Sequence, residues 1–269
     1  MLKDKLNLKM DYFCSSGAIL NVDEQRILEI SLPMLQAENK FNSISFFAKI
    51  FGTKGDYYIA LGRGEDYVRS KTFFYSLDGY SWKFMSPPSE DDLKSFHLVL
   101  SIFKGDPSCM HTIKDANETK LGYLVEERRL SALIKLIDFE ATIGPKNALI
   151  INSKGIVKNN THYTGLPKSE TLNLQSYLHF RLPASEKSFA PSSELYPSGG
   201  NRATDFLEPI SRDHPKGCWT LFSDSLQEVI QIRNLWWPGY RFYHIPETGE
   251  YRSMYIGFGQ RNEDFVNIL

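Results

Sequence analysis

The sequence has few cysteines and lacks any long apolar run. Its three cysteines, Cys14, Cys109 and Cys218, are far apart and odd in number. This pattern is typical of free thiols in a reducing compartment rather than of a disulfide framework. The N-terminal residues lack the continuous apolar segment of a signal peptide, and no window approaches the ~18 apolar residues of a membrane helix. We expect a soluble protein of the cytoplasm or cytoskeleton.

An excess of charge of either sign is also lacking. Lysine and arginine total 31 and aspartate and glutamate total 32, which gives a net charge of −1. The chain therefore has no overall positive field that would attract nucleic acid or an anionic membrane. We predict neither nucleic acid nor a membrane among its partners.

Motifs for metal binding and covalent chemistry are scarce. Cys109 and His111 are close in the sequence, as are His214 and Cys218, but neither pair has the CxxC or HxxxH spacing that puts two ligands on one face. Cys218 directly precedes Trp219 in a predicted strand, so we interpret it as a small buried apolar residue rather than as a nucleophile. The sequence predicts no catalytic residue, no metal site and no cofactor.

Apolar residues at helical spacing predict four helices. The first is expected to kink or end at Pro33, which lacks an amide donor. The second has Ser89 and Asp92 as a capping pair. In the third, Glu126 and Glu127 lie at the positive end of the helix dipole, which explains them better than a catalytic carboxylate pair does. The predicted helices begin at residue 21, and run from 89 to about 103, from 126 to 139 and from 169 to 180.

Alternating apolar residues between turn formers predict strands. In the first hairpin we expect Gly52 and Gly55 to supply positive-φ positions. Residues 104–122 are polar and predict a long surface loop. The predicted hairpins pair 44–51 with 56–62, 72–77 with 80–84, and 148–152 with 155–157, and a closing meander comprises 218–222, 228–233, 240–245 and 251–258.

The order of these elements predicts an α+β fold, with an antiparallel β-sheet meander as its core and several helices packed against it. We expect a single domain over residues 1–269, with a possible division into 1–150 and 151–269. The Ser-, Pro- and Gly-rich segment 184–205 predicts a flexible linker or insertion.

Aromatic residues are abundant and invite a functional interpretation. Neighbouring strand residues point to opposite faces, so each aromatic pair should place one ring in the core and one ring outside. Outward rings are common anchors of protein interfaces, although core packing explains any single ring about as well. Base stacking is disfavoured, since it normally requires a positive groove. The candidate interface residues are Tyr57, Trp219, Trp236, Trp237, Tyr240 and Tyr243.

A set of short motifs occurs in order over some two hundred residues of the chain. The motifs are Asp56-Tyr-Tyr-Ile-Ala, Gly62, Glu65-Asp66, Lys71-Thr, Tyr75-Ser-Leu, Glu126-Glu127, Arg129-Leu130, Tyr177, His179-Phe-Arg181, Pro215-Lys-Gly, Trp219, Leu235, Trp237-Pro-Gly239, Phe242-Tyr-His244 and Tyr255-Ile-Gly257. In their order and spacing they resemble the radial spoke head protein 9 family. The Trp-Pro-Gly and Tyr-Ile-Gly motifs also resemble the longer spoke head proteins 4 and 6, of which this chain looks like the compact relative.

The resemblance implies a structural role in motile cilia and flagella. A protein of this family would be a non-enzymatic part of the radial spoke head, which relays contact from the central pair towards the dynein arms. Its expected partners are the homologues of spoke head proteins 4 and 6 and the MORN-repeat spoke proteins, with only indirect contact to the central pair. The alternative is an enzyme acting on a small molecule, or another interaction module, with no recognisable local motif.

Overall fold

A computed structural model describes residues 10–16, 19–114, 119–182, 207–224 and 228–264. The predicted flexible segment 184–205 and most of the first twenty residues lie outside these ranges. Among the described helices, none has the length and apolar character needed to span a bilayer.

The described residues form fourteen strands and four α-helices. The strands are β1 Ser43–Ile50, β2 Tyr57–Arg63, β3 Lys71–Ser76, β4 Lys83–Phe84, β5 Met110–Lys114, β6 Lys120–Val125, β7 Ile143–Pro145, β8 Leu149–Ile151, β9 Val157–Asn159, β10 Tyr177–His179, β11 Trp219–Asp224, β12 Val229–Asn234, β13 Tyr240–His244 and β14 Tyr251–Gly257. The helices are α1 Val22–Asn39, α2 Glu90–Phe96, α3 Glu126–Ala141 and α4 Lys168–Thr171, with short 3-10 helices at Met10–Ser16, Leu174–Ser176 and Ile210–Arg212.

One eight-stranded sheet dominates the molecule, in the order β11-β12-β13-β14-β1-β2-β3-β4. Each half of this order is an antiparallel meander of consecutive strands, and the two meanders join where β14 runs parallel to β1. The predicted closing meander and the hairpins β1–β2, β3–β4 and β8–β9 are confirmed, as is the α+β class. The sheet takes strands from both halves of the chain, so a boundary at residue 150 would cut through it.

Helices cover the sheet on both faces. On one face, α3 buries the apolar stripe of Leu130, Leu133 and Ile137 against Ile59 and other residues of the sheet. On the other face, α1 packs Leu28, Leu32 and Leu35 against the opposite side of β1 and β2. Successive strand residues therefore enter two different apolar cores, since side chains alternate between faces.

Helix α1 continues past Pro33 to Asn39, so of the two outcomes predicted at this residue, a kink or an end, the end is wrong. Pro33 and Glu29, whose carbonyl loses its amide partner, both lie on the exposed side of the helix. Water can therefore replace the missing hydrogen bond. Leu32 and Leu35, which flank the proline, are buried, and this packing outweighs its local cost.

The helix predicted to reach Phe103 is also shorter than expected. Ser89 and Asp92 form the predicted capping box, but α2 ends at Phe96. Beyond it, Val99 and Phe103 are buried while Leu100 and Ile102 are exposed. The helix cannot continue because Phe103 instead forms a parallel bridge with Gly52, and its carbonyl accepts a hydrogen bond from the Thr53 amide at 2.9 Å.

Two further predictions were wrong in detail. The expected loop at 104–122 contains the β5–β6 hairpin, which buries Ile113 and Leu124 against Val99. The helix predicted at 169–180 is α4, a 3-10 turn and β10, because residues 177–179 pair with β7. That pairing also takes Gly144 and Pro145, which follow α3, into β7.

Gly52 does not have the positive φ that the hairpin prediction assumed, and nor does Gly55. Gly52 is required for another reason. A Cβ atom at this position would lie 2.2 Å from the Gly55 carbonyl oxygen and 3.0 Å from the Gly105 amide nitrogen. Only glycine allows these backbone segments to approach so closely.

Candidate interaction surface

Five of the six predicted interface aromatics lie in the interior. Tyr57, Trp219, Trp237, Tyr240 and Tyr243 are buried, and Trp236 is half-buried. The expectation that one ring of each pair faces outward was wrong, because both faces of the sheet are covered by helices and connecting segments. A contact role for these residues stays a prediction, and Trp236 is the one with accessible surface.

Trp236 and Trp237 lie in the bend between β12 and β13, where strand alternation does not apply. The indole nitrogens of Trp237 and Trp236 both donate to Glu140 Oε2, at 2.8 and 3.3 Å. Arg261 pairs with the other oxygen of Glu140, and its guanidinium carbon lies 5.1 Å from the Trp237 ring centroid. One carboxylate near the end of α3 thus fixes both indoles and the C-terminal segment.

Two extended segments beside Trp236 expose apolar side chains. The Gln260 side-chain amide donates to the Leu100 carbonyl over 3.4 Å, and the Asn262 amide donates to the Trp236 carbonyl over 2.9 Å. Leu100 is 83% exposed and Phe258 is 52% exposed. We refer to Leu98, Leu100, Ile102, Trp236 and Phe258 as the Trp236 surface.

A cleft of about 330 Å³ lies next to this surface and is lined by Phe96, His97, Leu100 and Arg261, among other residues. Burial, and then the Arg261 cation, lower the pKa of His97. The cleft therefore contains a neutral imidazole beside an arginine that is already paired with Glu140. Such a mixture of exposed apolar and satisfied polar groups is suited to contact with another protein.

Glu126, at the first position of α3, has a role that the sequence interpretation missed. Its side chain is fully buried and accepts hydrogen bonds from the Tyr57 hydroxyl at 2.7 Å and from His111 Nε2 at 2.6 Å. The backbone amides of Lys104, Gly105 and Asp106 also donate to it, at 2.7–3.1 Å. One carboxylate therefore joins β2, β5 and the 104–106 turn to α3.

The electrostatics of this site follow from those contacts. Burial raises the pKa of the Glu126 carboxyl, but the amide of Lys104, the Tyr57 hydroxyl and His111 outweigh it, and the pKa is lowered overall. Burial and the same carboxylate raise the pKa of Tyr57. Glu126 is thus an anion held by fixed donors. The sequence shows only an acidic residue at the start of a helix. It does not reveal the hydrogen-bond donors, because these come from distant segments of the chain.

Cys109, His111 and Glu126 are the described residues that could together hold a metal ion, since their ligand atoms lie within 4.8 Å of one another. However, His111 Nε2 and Glu126 Oε2 are 2.6 Å apart, whereas two ligands of tetrahedral zinc stand roughly 3.3 Å apart. The contact is a direct hydrogen bond, and the carboxylate oxygens are already occupied by other donors.

Cys218 is buried, as predicted, and burial followed by the nearby Asp213 carboxylate raises the pKa of its thiol to about 11. Asp213 accepts hydrogen bonds from His179 Nε2 at 2.8 Å and from the Trp219 indole nitrogen at 2.7 Å. This second, part-buried network fixes Trp219 in the core.

Known proteins resemble this chain along its whole length. A family model described as "Radial spokehead-like protein" matches residues 2–71. The radial spoke head protein 9 homologue of Danio rerio is 32% identical, with 100% of each chain covered. Those of Mus musculus and Homo sapiens are each 32% identical, with 99% of each chain covered. The chain belongs to the radial spoke head protein 9 family.

Membership of the radial spoke head protein 9 family gives the chain a structural role in the radial spoke head of cilia and flagella. The residues that the family model matches span α1, β1 and β2, including Tyr57. The matched region therefore includes the strand that supplies the hydroxyl donor to Glu126, and the helix that covers the opposite face of the sheet.

Proposed function

We propose that this chain is a non-enzymatic scaffold subunit that docks through the Trp236 surface onto other proteins of the radial spoke head. Its expected neighbours are the homologues of spoke head proteins 4 and 6 and the MORN-repeat spoke proteins. Through them it contacts the central pair apparatus indirectly and contributes to the control of ciliary beating. Before assembly it resides in the cytoplasm.

The full-length match to radial spoke head proteins carries this proposal. The geometry adds a place for the contact. Isolated exposed apolar residues are normal on proteins, but here four of them lie with half-buried Trp236 on linked segments beside a cleft. A protein interface of ordinary size buries roughly 1,600 Å² in total, with a few large side chains contributing most of the affinity.

The buried polar groups support a scaffold role rather than catalysis. Glu126 and His111 are saturated by donors and acceptors of the fold, and Asp213 is engaged by His179 and Trp219. A general acid or base must reach a substrate. In the described part of the chain, these two clusters instead join separate elements of the core.

Removal of the gene from ciliated cells tests the functional proposal directly. We expect cilia that assemble but beat abnormally, since a missing head subunit interrupts the relay from the central pair. High-speed imaging of the waveform is the measurement, and re-expression of the chain is the control. A normal waveform in the absence of the protein would overturn the proposal.

Point variants test the docking surface. Leu100→Asp places a charge on a side chain that is 83% exposed, so stability should change by no more than about 0.5 kcal/mol. We expect this variant to fold, yet to lose co-purification with the spoke head. Leu172→Asp is the matched control, since Leu172 is also exposed but lies beside α4. Equal recovery of both variants with the head would exclude this surface as the docking site.

A further inference from the structure

The parallel junction between the two meanders opens into an internal cleft. Strands β1 and β14 pair over only three positions, from Ala48↔Tyr255 to Ile50↔Gly257. This pairing begins at Ala48, directly after a register irregularity between Phe46 and Ala48 in the β1–β2 ladder, and it does not include the first half of β1. The space between the unpaired parts of the two strands has a volume of about 130 Å³. Water occupies about 30 Å³ per molecule in the liquid, so the cleft has room for roughly four waters or one small polyatomic ion.

Hydroxyl groups and guanidinium groups line much of this cleft. The hydroxyl side chains include Ser45, Thr142 and Ser253, and the two cations are Arg63 and Arg252. No carboxylate occurs among the described residues of its wall. The lining therefore offers positive charge and hydrogen-bond donors without a matching anion.

Arg63 is the central group of the cleft. It is 9% exposed, its Nη1 donates to Ser45 Oγ at 3.2 Å, and its Nε has no hydrogen-bond partner among the described residues. The ring of Tyr67, 4.5 Å from the guanidinium carbon, offsets part of the charge but supplies no full counter-ion. Thr142, 3% exposed, also has an unpartnered hydroxyl oxygen on the wall of the cleft.

Asp138, the buried acidic group that contacts Lys71, is already neutralised. Lys71 Nζ lies 2.7 and 2.9 Å from the two oxygens of Asp138, and both side chains are buried. Burial lowers the pKa of Lys71, and the Asp138 carboxylate opposes that effect. The Arg63 cation lowers the pKa of Lys71 further, so Arg63 and Lys71 are close enough to repel each other. Lys71, Arg63 and Asp138 together carry one uncompensated positive charge. A buried charge without a partner is costly, and a bound anion would remove that cost.

We propose that the cleft between β1 and β14 is a binding site for a tetrahedral oxyanion of the phosphate or sulfate class. Arg63 is its charge partner, and the hydroxyls of Ser45, Thr142 and Ser253 complete its hydrogen bonds. The anion neutralises the Arg63–Lys71–Asp138 cluster and fills the gap where β1 and β14 are not paired. It thereby stabilises the junction between the two halves of the sheet.

Titration of the full chain with inorganic phosphate, followed by calorimetry and thermal unfolding, tests this site. We expect saturable binding of one phosphate per chain and a rise in melting temperature, and sulfate should act similarly. Sodium chloride at matched ionic strength should give neither effect. Phosphate that gives no saturable signal beyond the chloride control would overturn the proposal and leave the cleft to water.

Two variants locate the binding. Arg63→Met removes the charge but keeps a side chain of similar length, so the affinity for phosphate should fall at least tenfold. Arg69→Met is the control. It breaks a half-exposed ion pair with Asp66 and should leave the affinity for phosphate unchanged. If Arg63→Met does not fold, Thr142→Val provides the measurement, with an expected affinity loss of several-fold. Equal phosphate responses in the native chain and in the variants of the cleft would show an adventitious ion only.

Discussion

The buried carboxylate of Glu126 allows a quantitative test of how the molecule is held together. Five donor groups converge on it: the Tyr57 hydroxyl, His111 Nε2 and three backbone amides. In Glu126→Gln, one carboxylate oxygen becomes an NH₂ group, which cannot accept. The donor that faces the new NH₂ group must lose its partner or, if it is His111 Nε2, change its tautomer, at a cost of ~1–3 kcal/mol, and the charge of all the contacts is lost.

The expected loss of stability is about 3 kcal/mol, the lower end of the range for breaking a buried ionic network. For a chain of this size that corresponds to a fall in melting temperature of roughly 6–12 °C at neutral pH, measurable by differential scanning calorimetry. Glu90→Gln is the matched control. Glu90 also occupies the first position of its helix but is exposed, so its loss should cost no more than about 1 kcal/mol.

The pH dependence separates charge from packing. The pKa of Glu126 is lowered in the folded protein, so its contribution is complete above the unfolded value of about 4.3. The contribution is lost as the pH falls through the folded pKa. The gap in melting temperature between the native chain and Glu126→Gln should therefore shrink in acid. A gap that stays constant from about pH 7 to below about pH 4 would refute the ionic account and indicate packing alone.

Two further predictions use neighbouring residues as each other's controls. Trp237→Ala should destabilise the protein by ~3–5 kcal/mol in urea unfolding, because the ring is fully buried, and half-buried Trp236→Ala should cost clearly less. Equal losses would contradict the burial argument. Gly52→Ala should destabilise by ~1–3 kcal/mol, since its Cβ would overlap backbone atoms, whereas Gly55→Ala meets no atom within 4 Å and should be close to neutral. A neutral Gly52→Ala would exclude the close backbone approach.

The elements that sequence periodicity predicted correctly are those whose packing is local. Helix α3 carries its apolar stripe at regular spacing, and the closing meander alternates between short turns. The β5–β6 hairpin was missed because its exposed side carries Met110, Leu121 and Tyr123, so apolar residues lie on both of its faces and the alternation is hidden. In α1, the local signal of Pro33 was overruled by burial of the opposite side of the helix.

The polar centre at Glu126 could not be predicted from local pattern. Its donors are 69 residues away at Tyr57, 15 away at His111 and 20–22 away in the 104–106 turn. Only the packed fold brings these segments together. The aromatic residues were misplaced for a related reason. Alternation correctly separates Tyr57 from Tyr58, but both faces of the sheet are covered, so neither ring reaches the surface.

The topology gives a physical reason to expect that the chain folds as one unit. A division at residue 150 would leave β1 and β14 as unpaired edges in the middle of the present sheet, where they would invite wrong strand pairing. It would also strip α3, which belongs to the first half, from Trp219, Ile230 and Tyr240 of the second half. The β1–β14 ladder is short. Much of the stability of the junction must therefore come from the apolar core under α3 and from the groups that line the cleft. A structural subunit needs such a junction, because separately folded halves would move independently about the linker between them.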